Sequence, residues 1–216
     1  MEIKIMKNVL DRNKNKANEV RSLMKENNVL LVNLISSPGA GKTTLLDCTL
    51  EKLKNTFKIA IIEGDIATDR DAQRLKKHKV PIVVINTEGG CHLDSHSISK
   101  VLPKFNLENL DVIFIENVGN LVCPSHFDLG ESFKLALVST TEGDDKPIKY
   151  PMLFREAKVI LLNKIDLLEY TNFNRSSFLK DLNNVNGKVP FFEVSCTANI
   201  NMEQWYDWIF NEIISK

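Results

Sequence analysis

Residues 31–44 read LVNLISSPGAGKTT. An apolar run rich in Leu, Val and Ile descends into Ser-Ser-Pro-Gly-Ala-Gly and ends on Lys-Thr-Thr. A buried strand that turns through small residues into a helix is the local signature of a phosphate cradle of the form G-x-x-x-x-G-K-[ST]. In such a cradle backbone N–H groups and a helix N-terminus face the anion, the lysine reaches the β- and γ-phosphates, and the hydroxyl binds Mg²⁺. The stretch supplies Pro38, Gly39, Ala40, Gly41, Lys42, Thr43 and Thr44 for that role. It departs from the pattern once, because Ser36 stands where the first glycine is expected. If that corner needed a positive φ, serine would strain it. A Gly-rich turn without chemistry is the alternative reading.

The rest of the chain repeats the alternation. Short runs at 29–35, 59–62, 80–85, 112–115, 135–138, 159–162 and 191–194 are continuous in Val, Ile, Leu and Phe, as expected of strands buried on both faces. Helical spacing is expected over 43–53, 69–77, 95–105, 176–183 and 202–214, the last with Trp205, Trp208, Ile209 and Ile213 on one face. A leading amphipathic helix over 6–27 presents Val9, Leu10, Val20, Leu23 and Met24. The fold class expected is α/β, a mostly parallel sheet flanked by helices. One domain is expected over 29–216, with residues 1–28 as a helix packed on it. No internal repeat or linker divides the 216 residues.

Composition removes several function classes. Lys plus Arg equals Asp plus Glu at 28 each, which argues against nucleic acid or anionic lipid as a partner. No apolar run approaches the ~20 residues needed to span a bilayer. Residues 1–20 are charged throughout, with no secretory apolar core, and four cysteines in such a chain suggest reduced thiols. A cytoplasmic protein is expected.

The base is named by VILLNKIDLL, residues 159–168. Asn163, Lys164 and Asp166 follow an apolar strand, at the carboxyl end where α/β sheets bind ligands. A carboxylate at Asp166 accepts two hydrogen bonds from the N1–H and amino group of guanine, whereas adenine offers an acceptor at N1. Lys164 packs its aliphatic stem along the base. In VSCTAN, residues 194–199, the backbone of Ser195 and Cys196 is placed to meet the guanine O6, although Cys196 as a small buried filler fits equally.

Two further strands end in acids: Asp65 in IAIIEGDIATDRDA (59–72) and Glu116 in DVIFIENVGN (111–120). Both project toward the loop as direct or water-mediated Mg²⁺ partners beside Thr43, and Gly119 presents an N–H to a γ-phosphate. Asp69 or Asp71 is a candidate to orient attacking water, though Thr68 to Asp71 also fits a helix capping box. Phosphoryl transfer is mainly positioning and charge stabilisation, so an incomplete set implies slow turnover.

Thiols and imidazoles gather near the same rim. NTEGGCHLDSH (86–96) places Cys91 and His92 together, and GNLVCPSHFDLGE (119–131) places Cys123 shortly after Glu116. Thiolate and imidazole suit a soft or borderline ion such as Zn²⁺ or Ni²⁺. His96 and His126 lie close enough in sequence to support those ligands, Cys48 reads as core, and His78 as a solvated surface residue.

Taken in order, SSPGAGKTT, GDIATDRDA, GGCHLD, ENVGNLVCPSHFDLGE, TEGDDKPIKYP and LLNKIDLL resemble the hydrogenase maturation nickel-incorporation GTPases, the HypB family in the SIMIBI class of P-loop GTPases. The resemblance runs from about Val29 to the C-terminus. It implies a GTP-driven homodimer that helps deliver nickel to the precursor of a [NiFe]-hydrogenase large subunit, alongside a small nickel- and zinc-binding metallochaperone. It also implies that Cys91, His92 and Cys123 form a metal site at or near the dimer interface. Some members carry a Cys-rich or His-rich N-terminal nickel motif, but the first 30 residues here hold neither Cys nor His. The related urease-accessory GTPases typically carry Cys-Pro-His where this chain has Cys123-Pro124-Ser125, and lack the Cys91-His92 pair. A metal-binding scaffold without turnover is the non-enzymatic alternative, favoured only by Ser36.

Overall fold

The structure, a computed structural model, describes residues 2–65 and 70–216, with side chains from residue 11 onward. Asp69 and Thr68 lie outside the described residues, as do the side chains of Val9 and Leu10.

Seven strands, β1 (Leu30–Ser36), β2 (Ile59–Asp65), β3 (Ile82–Asn86), β4 (Val112–Glu116), β5 (Phe133–Ser139), β6 (Ala157–Asn163) and β7 (Phe191–Glu193), form one parallel sheet in the order β3-β2-β4-β1-β5-β6-β7. The order diverges at β1, which lies between β4 and β5, so a crevice opens at its carboxyl end. The continuous apolar runs follow from burial on both faces. Ile59 and Ile61 of β2 point to one side, while Ala60 and Ile62 point to the other. Each fully buried aliphatic side chain of this kind contributes about 1.5–3 kcal/mol relative to exposure. The edge strand β3 is a departure from that expectation: it is only partly covered, and Val84 is exposed.

The helices α1 (Glu2–Glu26), α2 (Lys42–Leu53), α3 (Arg70–Leu75), α4 (Ser95–Val101), α5 (Cys123–His126), α6 (Lys146–Lys149), α7 (Pro151–Glu156), α8 (Arg175–Asn186) and α9 (Met202–Ile214) clothe the sheet. α2 and α9 share one core, where the Trp205 indole Nε1 donates to Thr49 Oγ1 at 2.9 Å. α1 and α4 cover the opposite face, burying Val20 and Met24 against Ile62, Ile98 and Ile113. Arg21 adds a two-pronged bond to the Asp128 carboxylate at 2.6 and 2.8 Å. Leu23, expected on the apolar face of α1, is exposed instead. Sequence periodicity assigns no helix to 146–156, yet α6 and α7 lie there. Pro147 and Pro151 occupy first turns, where a missing N–H breaks no intrahelical bond.

His78 is buried, contrary to its expected surface position. Its Nε2 meets Asp47 Oδ1 at 2.5 Å and its Nδ1 lies 3.3 Å from Lys54 Nζ, so the 3₁₀ turn after α3 is tied to α2. Among the described residues no helix is long and apolar enough to cross a membrane.

Candidate functional site

The phosphate loop leaves β1 and enters α2 without strain at its unusual residue. Ser36 closes the strand fully buried and is not among the positive-φ residues, so the backbone tolerates serine there. Positive φ falls on Gly39 (+78°) and Gly41 (+104°). Gly41 is fixed by space as well, because a Cβ there would stand 2.5 Å from Asn163 Nδ2. Lys42 opens α2 and donates to Ser36 Oγ at 3.2 Å, while Thr43 Oγ1 donates to Glu116 Oε1 at 2.7 Å. Thr44, next along α2, accepts from Arg74 of α3 at 3.3 Å. Gly119 lies against the loop, since a Cβ on it would come within 3.0 Å of Pro38.

A cavity of about 230 Å³ joins Pro38, Gly39 and Lys42 to Glu63, Asp65, Asp71, Glu116 and Gly119. Asp65 and Glu116 therefore share the rim, as expected. The structure adds Glu63, which pairs in register with Glu116 across the parallel β2–β4 ladder. Glu63, Asp71 and Glu116 bring carboxylate oxygens within 4.8 Å of one another. One oxygen of Glu63 and one of Glu116 are buried without a hydrogen-bond partner. Burial, reinforced by the neighbouring Glu116, pushes the Glu63 carboxyl up to about 9. Burial also raises Glu116 to about 7, against the opposing pull of Lys42 and Thr43. Carboxylates crowded at this cost suit a hard cation, and a divalent ion would satisfy the two unpartnered oxygens.

The base-side loops are knitted to the phosphate loop by Asn163. Its Nδ2 donates to the Ala40 carbonyl at 2.9 Å, and its Oδ1 accepts from the Cys196 N–H at 3.1 Å. Lys164 adopts φ +63° and reaches back to the Gly39 carbonyl at 2.8 Å, while Thr140 Oγ1 donates to the Lys164 carbonyl. Asp166 is exposed in the turn after Lys164, near enough to Cys196 to raise its thiol, although burial is the larger cause. Ser195 and Cys196 are buried. The Cys196 carbonyl accepts from Cys48 Sγ at 3.4 Å, so half-buried Cys48 braces this loop. Sequence reasoning missed Thr140 and Glu142. Glu142 tucks beside Ser37, and its burial raises its carboxyl.

Cys91, His92 and Cys123 come together with their ligand atoms within 4.8 Å. Cys91 Sγ is 3.4 Å from His92 Nδ1, and its hydrogen bond to Cys123 raises its thiol. The His92 ring lies on Phe127 at 3.8 Å between centroids, and burial lowers its basicity. Asn120 donates to the Cys91 carbonyl at 3.2 Å, joining the two loops. Cys91 is exposed, as is Val122 beside Cys123. His96 and His126 are both exposed: His96 lines a cavity with Phe127, and His126 lines another with Glu131 and Lys134. Neither joins the Cys–His–Cys group.

A central strand running into a glycine loop, acids at the ends of β2 and β4, and an Asn-Lys-x-Asp turn after β6 define a P-loop GTPase fold of the SIMIBI class. Residues 30–193 match the CobW/HypB/UreG nucleotide-binding domain. The chain is 45% identical to hydrogenase maturation factor HypB of Escherichia coli (strain K12) over 201 residues, covering 93% of this chain and 69% of that protein. It superposes on HypB from Archaeoglobus fulgidus with a TM-score of 0.88 at 35% identity, covering 94% of this chain and 100% of that one. HypB from Helicobacter pylori in complex with nickel gives 0.87 at 35% identity, over 94% and 96%. The chain belongs to the HypB family of hydrogenase maturation factors.

Proposed function

We propose that this chain is a metal-regulated GTPase that hydrolyses GTP to GDP and phosphate and helps insert nickel into a [NiFe]-hydrogenase during maturation. The observation that carries the reading is the direct bond from Thr43 of the phosphate loop to Glu116, seven residues before Cys123 of the thiol–imidazole cluster. Residues 38–44 cradle the phosphates and Lys42 faces the β- and γ-phosphates. Thr43, Asp65 and Glu116, joined by Glu63, hold Mg²⁺ directly or through water. The ion neutralises phosphate charge when bound there. Gly119 offers its N–H to the γ-phosphate. Asp71, which faces Glu63 and Glu116, or Asp69 orients the attacking water. Asn163 aligns the two loops around the nucleotide, Lys164 flanks the base, and Asp166 with the backbone of Ser195 and Cys196 reads guanine. The placement is largely preorganised, and among the described residues that line that cavity Lys42 is the one cationic side chain, which fits slow turnover.

Cys91, His92 and Cys123 take Ni²⁺ or Zn²⁺. One protomer supplies three ligands where tetrahedral zinc usually has four, so two protomers facing across a two-fold axis supply a shared or paired site. A GTP-dependent homodimer in the cytoplasm, served by a small nickel/zinc metallochaperone and acting on the hydrogenase large-subunit precursor, is the assembly this reading requires. The chain's similarity to the E. coli hydrogenase maturation factor and to the H. pylori protein solved in complex with nickel supports it. The unstrained Ser36 removes the one feature that favoured a scaffold without turnover. The close Cys91–His92 pair favours this role over that of a urease accessory. Multiple-turnover phosphate release with GTP and Mg²⁺ tests the enzymatic claim. Release abolished by Lys42→Ala is expected, and no release from wild type would leave only binding.

A further inference from the structure

Asn117 lines the phosphate-loop cavity beside Glu116, and Leu93, which belongs to neither the nucleotide nor the metal set above, is tied to it from the metal side. Asn117 is buried directly after Glu116, and its side chain makes three bonds. Its Oδ1 accepts from the Leu93 N–H at 3.3 Å and from the Val118 N–H at 2.9 Å. Its Nδ2 donates to Asn33 Oδ1 at 3.0 Å. Asn33, buried in the middle of β1, donates in turn to Glu131 Oε1 at 3.3 Å, and Glu131 Oε2 accepts from the Leu129 N–H at 2.6 Å. The polar chain thus runs from the loop that follows α5, through the strand that carries the phosphate loop, to the residue that follows His92.

Leu93 is held from a second side. A Cβ on Gly64 would stand 2.7 Å from Leu93 Cδ1, so the leucine rests directly on the end of β2 between Glu63 and Asp65. The Cys91-His92 segment is therefore clamped at Leu93 by the ends of β2 and β4. These are the two strand ends whose acids face the phosphate loop. Buried polar groups of this kind are high-stakes, because each lost partner leaves an unsatisfied neighbour. A shift at either strand end is passed to Leu93 with little slack.

We infer that Asn117 and Leu93 are the positioning residues that couple occupancy of the γ-phosphate and Mg²⁺ site to the geometry of Cys91, His92 and Cys123. The inference rests on the GTPase and metal reading above and says which contacts carry its regulation. The test is Zn²⁺ affinity, read by competition with a chromophoric chelator, for protein alone and for protein loaded with a non-hydrolysable GTP analogue and Mg²⁺. Wild type is expected to show at least about a fivefold difference between the two states. In Asn117→Ala, at saturating analogue, the two Zn²⁺ affinities should converge, while the nucleotide-free Zn²⁺ affinity stays near wild type. Leu93→Ala, which spares the polar chain, should weaken the coupling in the same way and decides the matter if Asn117→Ala does not fold. Full coupling in Leu93→Ala, or in a folded Asn117→Ala, overturns the inference alone. An uncoupled wild type overturns it together with the metal-regulated reading.

Discussion

Thr43 Oγ1 donates to Glu116 Oε1 at 2.7 Å, linking the first turn of α2 to the end of β4 across the mouth of the phosphate loop. Two residues distant in sequence thereby share the edge of one cavity, and the acid keeps its second oxygen unpartnered. Lys42, one residue earlier, is the cation of that edge. Lys42→Ala is expected to weaken GTP binding and abolish turnover together, measured by nucleotide titration and phosphate release. Tight binding with normal turnover in the variant would remove Lys42 from the site.

Guanine selection is expected to lie with Asp166. Asp166→Asn presents a donor where an acceptor is needed, and an unmade bond of this type costs about 1–3 kcal/mol. GTP affinity should fall at least about tenfold, with xanthosine triphosphate, which carries a carbonyl at C2, better tolerated. Unchanged GTP affinity would sink the assignment.

Asp71 separates chemistry from stability. It sits in the first turn of α3 with Arg74 at 3.7 Å and faces Glu63 and Glu116. If it orients water, Asp71→Ala slows hydrolysis and leaves GTP affinity and melting temperature near wild type. A purely helical role would show as about 1 kcal/mol of lost stability with an unchanged rate.

The buried acids impose a pH dependence. Burial raises Glu63 to about 9 and Glu116 to about 7, above the usual carboxylate value near 4.5. The unfolded chain releases these protons first as pH rises, so the folded state binds more protons across this range. Stability measured in EDTA should therefore fall from about pH 5 to pH 8, with a limiting slope near 1.4 kcal/mol per pH unit for each group. Glu63→Gln should flatten the slope. A wild-type stability that rises with pH over that window would contradict the buried-carboxyl account.

Much of this architecture is legible without coordinates, for definite reasons. Phosphate and guanine chemistry demand fixed residue types at fixed offsets from a strand end, so residues 36–44 and Asn163-Lys164-x-Asp166 announce themselves. The acid partner Glu63 does not, because its meeting with Glu116 depends on the β2–β4 register, which no local pattern records. Asn33 and Asn117 likewise look like polar interruptions of apolar runs until parallel pairing brings them together. His78 reads as a surface residue because the Asp47 that covers it lies on another helix. The Cys–His–Cys convergence was readable from the two loops, whereas Asn120, which ties them together, was not.

The central claim is that nucleotide state governs metal binding by a dimer through Cys91, His92 and Cys123. Zn²⁺ and Ni²⁺ titration of the GTP-analogue-loaded protein, with its mass in solution recorded in the same sample, tests this most directly. Wild type should be dimeric and bind metal more weakly as pH falls, since thiolate and neutral imidazole are the binding forms and the Cys91 thiol is already raised. Cys91→Ala and Cys123→Ala should each lose stoichiometry or affinity. Equal stoichiometry and affinity in all three proteins would contradict the account and leave an ordinary GTPase with three unengaged side chains.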